Sequence, residues 1–302
     1  MTVAQSAAST GARGITLDAD GLTLSALLAL PSQAPCKAMV VALHGAGMSS
    51  SYFHGPSHPD TSFLDLATSL GFAVVAVDRP GYGLSARQLP QGQGVADQAA
   101  TLSAALRHLT AQFDTGSGVF LLAHSFGGKP ALRMAADGTV SELLGLDVSG
   151  CGGEYAVPPG ARGMHERESW RLNWGPLRLY PPGTFRASGT VVAAVPQREL
   201  ADAVHWPEKF AEFAGRIRVP VRFTFAEHEA WWQHDRQAVA RLRSRLSSAP
   251  RVVTEHQLDS GHNISLGWTA RAYHLRALGF AEECLRSRES ERSPASVSPG
   301  ST

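Results

Sequence analysis

The stretch Leu121-Leu122-Ala123-His124-Ser125-Phe126-Gly127-Gly128 places a serine where an apolar run ends and a helix-type segment begins. A serine on such a sharp strand-to-helix turn holds its hydroxyl exposed above the end of the strand. The turn closes only if the residues two before and two after are small. Here they are Ala123 and Gly127. The usual pattern has glycine at both positions, and a methyl group is the smallest departure from it. The same serine could also simply cap the helix that follows, so the reading needs partners for Ser125.

A hydroxyl becomes a useful nucleophile beside a base, and that base needs an acid to orient it. Among twelve histidines, His262 stands in Leu258-Asp259-Ser260-Gly261-His262-Asn263, directly after the last strand-type run. Gly261 before it allows an unusual backbone angle at the turn. His256 falls inside that run and suits a structural role. Three carboxylates compete as the orienting acid: Glu229 and Glu227, both just past the run Val219–Phe225, and Asp147 at the end of the preceding run. The oxyanion of acyl transfer also needs preorganised donors, each worth about 2.7–4 kcal/mol. The Phe126 N–H is one. The second is expected in His44-Gly45-Ala46-Gly47-Met48, with Ala46 first and Gly47 next. No Gly-Lys-Ser/Thr follows these glycines, so they do not form a phosphate loop.

These side chains need a frame to bring them together. Ile15–Leu17 and Leu22–Leu30 flank Asp20-Gly21, a hairpin signal. Ala38–Leu43 and Phe72–Val77 are continuous apolar runs that suit strands buried on both faces. Asp60, Thr61 or Ser62 can cap a helix over Phe63–Leu70. Val95, Ala99, Leu102, Leu106, Leu109 and Phe113 recur at helical spacing. Val119–Ala123 and Leu143–Val148 read as strands around a helix over Phe126–Ala136. This alternation argues for a parallel sheet covered by helices. The rhythm breaks over residues 151–217, rich in proline pairs and aromatics, and resumes with Val219–Phe225, a helix over Val239, Leu242 and Leu246, the strand Val252–Leu258 and a helix around Tyr273–Leu285. Residues 1–14 are expected to be flexible and 287–302 disordered.

Four motifs now stand in order: His44-Gly45-Ala46-Gly47, Asp78-Arg79-Pro80-Gly81-Tyr82-Gly83-Leu84-Ser85, the Ser125 turn and Gly261-His262. In order and spacing the chain resembles the α/β-hydrolase family over roughly residues 15–285. The resemblance implies an α/β fold with a mostly parallel central sheet flanked by helices, and a cap inserted after strand 6. The core would comprise residues 15–150 and 218–286, and the cap residues 151–217. It also implies an acid three residues beyond a small residue at the strand end, and counting from Ala226 selects Glu229. Asp78–Ser85 reads as a turn organiser. A serine at 125, where dehalogenases and epoxide hydrolases carry aspartate, argues against those activities.

The expected function is hydrolysis of a carboxylic ester, lactone or thioester through an acyl-enzyme on Ser125. An acyltransferase, cyclase or carbon–carbon bond hydrolase would use the same residues, and a non-catalytic ligand-binding homologue would keep the pocket without turnover. Trp170, Trp174 and Trp231 could line an apolar substrate pocket or simply join cap to core. His54 or His58, in the lengthened loop Ser51–His58, could touch substrate, but a surface loop is the favoured reading. Composition narrows the partners. Hydrophobic residues make up 43% of 302, charged residues 18%, and the net charge is +1. Such a balance calls for no nucleic acid and no membrane. Of 27 basic residues only Lys37, Lys129 and Lys209 are lysines, a skew expected of GC-rich bacterial coding sequence. Three scattered cysteines form neither a disulfide framework nor a metal site, and no cofactor is expected. The N-terminal residues do not resemble a secretory signal, so a cytoplasmic location is expected.

Overall fold

Asp20 and Gly21 both take positive φ, 54° and 94°, and close a two-residue hairpin between β1 (Arg13–Ala19) and β2 (Leu22–Ala29). In the computed structural model, which describes residues 11–33, 35–55, 57–157 and 166–292, this hairpin opens an eight-stranded sheet. The remaining strands are β3 (Met39–Leu43), β4 (Ala73–Val77), β5 (Val119–His124), β6 (Leu143–Ser149), β7 (Val221–His228) and β8 (Val252–Gly261). Their order across the sheet is β1-β2-β4-β3-β5-β6-β7-β8. Only the β1–β2 and β2–β4 pairings are antiparallel; the others are parallel.

Every residue of β3, β4, β5 and β6 is buried, because helices cover both faces. Alternation along β3 divides the core in two: Met39, Val41 and Leu43 face one layer, Val40 and Ala42 the other. The first layer is filled by α2 (Val95–Gln112) and α3 (Gly128–Asp137), the second by α1 (Phe63–Ser69) and α8 (Ala270–Arg292). Ser62 caps α1 by accepting from the Asp65 N–H at 3.1 Å. Between β6 and β7 the chain forms α4 (Glu166–Trp174), α5 (Gln197–Val204) and α6 (Trp206–Phe213); α7 (Arg236–Arg245) joins β7 to β8. Among the described residues no helix is long and apolar enough to cross a membrane.

Both expected chain ends need correction. Arg13 and Gly14 are not flexible but pair with Leu28 and Leu27 in the hairpin. At the other end α8 runs on to Arg292, past the start expected for a disordered tail. Arg and Glu propagate a helix well. Arg288 pairs with Glu142 at 2.9 Å, and Arg286 with Glu289 one turn on at 3.7 Å. Residues 1–10 and 293–302 lie outside the described residues.

Besides His262, three imidazoles are buried among the described residues: His44, His124 and His274. Burial holds all three below the ordinary value of 6.5, His274 at about 3. Neither ring nitrogen of His274, wedged against Phe63 and Tyr273, has a hydrogen-bond partner among the described residues. A depressed histidine pKa means that the unfolded chain takes up protons that the fold refuses. Stability is therefore full above 6.5 and falls as the pH drops below it. The three groups act in the same direction, so the protein is expected to be less stable at a pH of about 5.5 than at about pH 7.5. The raised pKa of buried Asp147 works the other way, but from its own ordinary value of 3.8. Urea unfolding at the two pH values checks this; equal stabilities would contradict it.

Candidate active site

Ser125 leaves β5 with φ at 51°, a left-handed conformation that non-glycine residues avoid. Gly127 makes the turn possible. A Cβ there would lie 2.4 Å from the Leu43 carbonyl oxygen and 2.5 Å from that of His44. Ala123 is fully buried inside β5, so the methyl that departs from the usual pattern is absorbed in the sheet.

His262 Nε2 lies 2.9 Å from Ser125 Oγ, and its Nδ1 lies 2.8 and 3.0 Å from the two carboxylate oxygens of Glu229. Both His262 and Glu229 are buried. The Trp231 N–H donates to Glu229 Oε1 at 2.9 Å and holds the carboxylate in place. Ser125, His262 and Glu229 thus form one continuous relay, assembled from the ends of β5, β8 and β7 on one edge of the parallel part of the sheet. The other two acids are engaged elsewhere. Glu227 is exposed and accepts from the Asp259 N–H at 2.7 Å. Asp147 is fully buried, bonded to Arg222 at 2.5 Å and to the Tyr273 hydroxyl at 2.8 Å.

Gly261 serves a different purpose from the expected one. Its φ is not positive; its lack of a side chain is what counts, because a Cβ would meet Tyr180 Oη at 2.4 Å and the Trp174 carbonyl at 2.5 Å. The positive φ in this turn, 49°, falls on Asp259. Gly150, absent from the sequence reading, has φ at 58° and sits where a Cβ would press on His262 Cε1 at 2.9 Å. His256 pairs with His234 on the surface of the sheet, 3.1 Å apart. His54 and His58 bond within their own loop, to Ser62 and Asp60.

A cavity of about 260 Å³ opens onto the relay. Gly45, Ala46, His124, Ser125 and His262 form its floor. Ala46, the first choice of oxyanion donor, therefore borders the space a reacting carbonyl would occupy, and Phe126 follows Ser125 at the start of the helical turn. Gly47 is excluded as a donor: its N–H is bonded to Tyr82 Oη at 3.0 Å. Asp78 organises the adjoining turns, accepting from the Ser50 N–H at 2.7 Å and from Ser25 Oγ at 2.6 Å.

Of the three tryptophans expected at the pocket, only Trp231 lines it. Trp174 is buried against Tyr180 and Phe185, and Trp170 is 39% exposed beside Phe185. Their helix instead offers Asn173, whose Oδ1 accepts from Trp231 Nε1 at 2.9 Å. Met48, Val195, Leu200 and Asn263 complete the wall. None of these carried a sequence signal, apart from the adjacency of Met48 and Asn263 to the catalytic motifs. His124 was equally hidden. Its ring lies 5.0 Å from that of His262, and burial keeps it uncharged. A neutral neighbour would not oppose a positive charge on the His262 ring.

The alpha/beta hydrolase family profile matches residues 40–276, most of the chain and all of the relay. The chain belongs to the alpha/beta hydrolase family. Solved structures agree on this hydrolase fold. A thermostable carboxyl esterase from Bacillus coagulans superposes with a TM-score of 0.68 at 17% identity, over 90% of this chain and 98% of that one. The monoacylglycerol lipase of Paleococcus ferrophilus gives 0.63 at 18% identity, over 87% and 98%. A dienelactone hydrolase from Anabaena variabilis gives 0.55 at 14% identity, over 90% and 95%. No curated protein matches the chain. At these identities the solved structures speak for the hydrolase fold alone.

Proposed function

We propose that this hydrolase cleaves a small, uncharged carboxylic ester, lactone or thioester through an acyl-enzyme on Ser125. The observation that carries the reading is the placement of the His262 ring between Ser125 Oγ and Glu229, within hydrogen-bond distance of both. In the first step Ser125 Oγ bonds to the acyl carbon while its proton passes to His262 Nε2. The Ala46 and Phe126 N–H groups receive the developing oxyanion. Collapse of this adduct breaks the bond to the alkoxide or thiolate, which leaves with the proton from His262. Water then repeats the sequence on the acyl-enzyme, freeing the carboxylic acid and restoring Ser125. Glu229 holds Nδ1 protonated throughout and balances the imidazolium.

The size and lining of the cavity support the substrate class. Ligand pockets usually span about 300–1,000 Å³, and 260 Å³ sits below that range. Trp231, Met48, Val195 and Leu200 make it largely apolar, and Asn173 and Asn263 add neutral polarity. Among the described residues that line it, a charged substrate would find no counter-charge. Structural relatives named as an esterase, a lipase and a lactone hydrolase act on bonds of this kind. The absence of any basic or acidic excess keeps nucleic acids and anionic membranes outside the proposal, and a cytoplasmic location stays part of it.

A series of p-nitrophenyl esters from acetate to dodecanoate tests this reading. The expected result is a kcat/KM maximum at the short members and a steep decline beyond about six carbons, where the acyl chain outgrows the cavity. Activity that rises steadily to the longest chains would contradict it.

A further inference from the structure

The peptide that must present the Ala46 N–H is held from behind by groups outside the proton relay. Arg79, in the loop after β4, is fully buried. Its Nε donates to the His44 carbonyl at 2.6 Å and its Nη2 to the Gly45 carbonyl at 3.1 Å. In a planar trans peptide the C=O and N–H point in opposite directions. Fixing the Gly45 carbonyl therefore aims the Ala46 N–H away from Arg79, and Ala46 lines the cavity beside Ser125. The next amide is tied as well, through the Gly47 N–H bond to Tyr82 Oη.

Both ties end on one carboxylate. Glu199 of α5 is fully buried and accepts from Arg79 Nη1 at 2.5 Å, from the Tyr82 hydroxyl at 2.8 Å and from Gln98 Nε2 at 2.8 Å. The same inserted segment also touches the loop directly, where the Ala193 N–H donates to the Gly47 carbonyl at 2.9 Å. Pro196 packs so closely on Gly92 that a Cβ there would come within 2.3 Å. Buried ion pairs are weak contributors to stability, since apolar side chains of similar volume often serve as well. Apolar packing could not, however, grip two successive carbonyls and so fix the rotation of one peptide. A planar guanidinium fork can.

We propose that Glu199 and Arg79 are positioning residues: from the segment between β6 and β7 they set the orientation of the Gly45–Ala46 peptide and with it the strength of the oxyanion site. Neither touches a reacting atom. The inference rests on the serine mechanism proposed above.

Labelling of Ser125 by a fluorophosphonate tests it without knowledge of the natural substrate, because phosphonylation develops negative charge on an oxygen in the same site. Second-order labelling rates are measured across pH for wild type, Glu199→Gln and Tyr82→Phe. Glu199→Gln is expected to label about 10–100-fold more slowly, part of the loss seen when a donor is deleted outright. Tyr82→Phe should be slowed less. Both should keep the wild-type pH midpoint, since His262 and Glu229 are untouched. Wild-type rates in the folded variants would overturn the inference, and so would a slowed rate with a shifted midpoint, which places the damage in the relay. Should Glu199→Gln fail to fold, Tyr82→Phe decides by the same criteria. A wild-type protein that the probe does not label would overturn the serine mechanism and this inference with it. A labelled wild type with an equally fast Glu199→Gln would overturn the inference alone.

Discussion

Ser125→Ala is expected to lower kcat on the best ester by about 10⁶-fold, the loss seen when the nucleophile of such a relay is removed. Its fold should survive, because Oγ bonds only to His262 among the described residues and projects into the cavity. A companion variant separates chemistry from strain. At φ of 51° any side chain is strained by roughly 1–2 kcal/mol. Ser125→Gly removes that strain but adds entropy to the unfolded chain, roughly 0.5–1 kcal/mol. The glycine variant should thus be equally inactive yet roughly 0.5–1 kcal/mol more stable than the alanine variant. Urea unfolding and the ester assay on the two proteins check both halves. Activity within about 100-fold of wild type in either variant would be incompatible with the mechanism.

The second large effect concerns the acid. Glu229→Gln keeps the volume and leaves the bond from the Trp231 N–H to Oε1 intact, so the amide nitrogen must face His262 Nδ1. That nitrogen donates where the carboxylate accepted. His262 Nδ1 then has to accept, its proton moves to Nε2, and the ring presents a donor to Ser125 in place of a base. A loss of about 10⁴-fold in kcat is expected, with KM little changed. Glu227→Gln, on the exposed side of the same turn, should retain nearly full activity. The reverse pattern would make Glu227 the orienting acid.

That distinction shows where the sequence speaks and where it is silent. The sheet was legible because strands such as Met39–Leu43 and Ala73–Val77 are buried on both faces and tolerate nothing polar. The hairpin was legible because Asp20-Gly21 can take positive φ, and Ser125 because its turn needs small neighbours. Glu229 and Glu227 differ by two positions, which ordinary strand alternation would place on the same face. An irregularity between Ala226 and His228 breaks that alternation, turning Glu227 outward to Asp259 and Glu229 inward to His262. Residues 151–217 carry no strand period, so which face of α4 meets the cavity could not be read; the aromatic Trp174 turned away and Asn173 turned in. The contact between Arg79 and Glu199 spans 120 positions in the chain, beyond the reach of any local pattern.

Exposure of the wild-type protein to a fluorophosphonate, followed by peptide mass mapping, bears most directly on the central claim. The proposed relay predicts a single phosphonyl adduct on the peptide containing Ser125, and its disappearance in His262→Ala over the same reaction time. Labelling that persists undiminished in His262→Ala, or that falls on any other residue, would mean that the imidazole does not activate this serine.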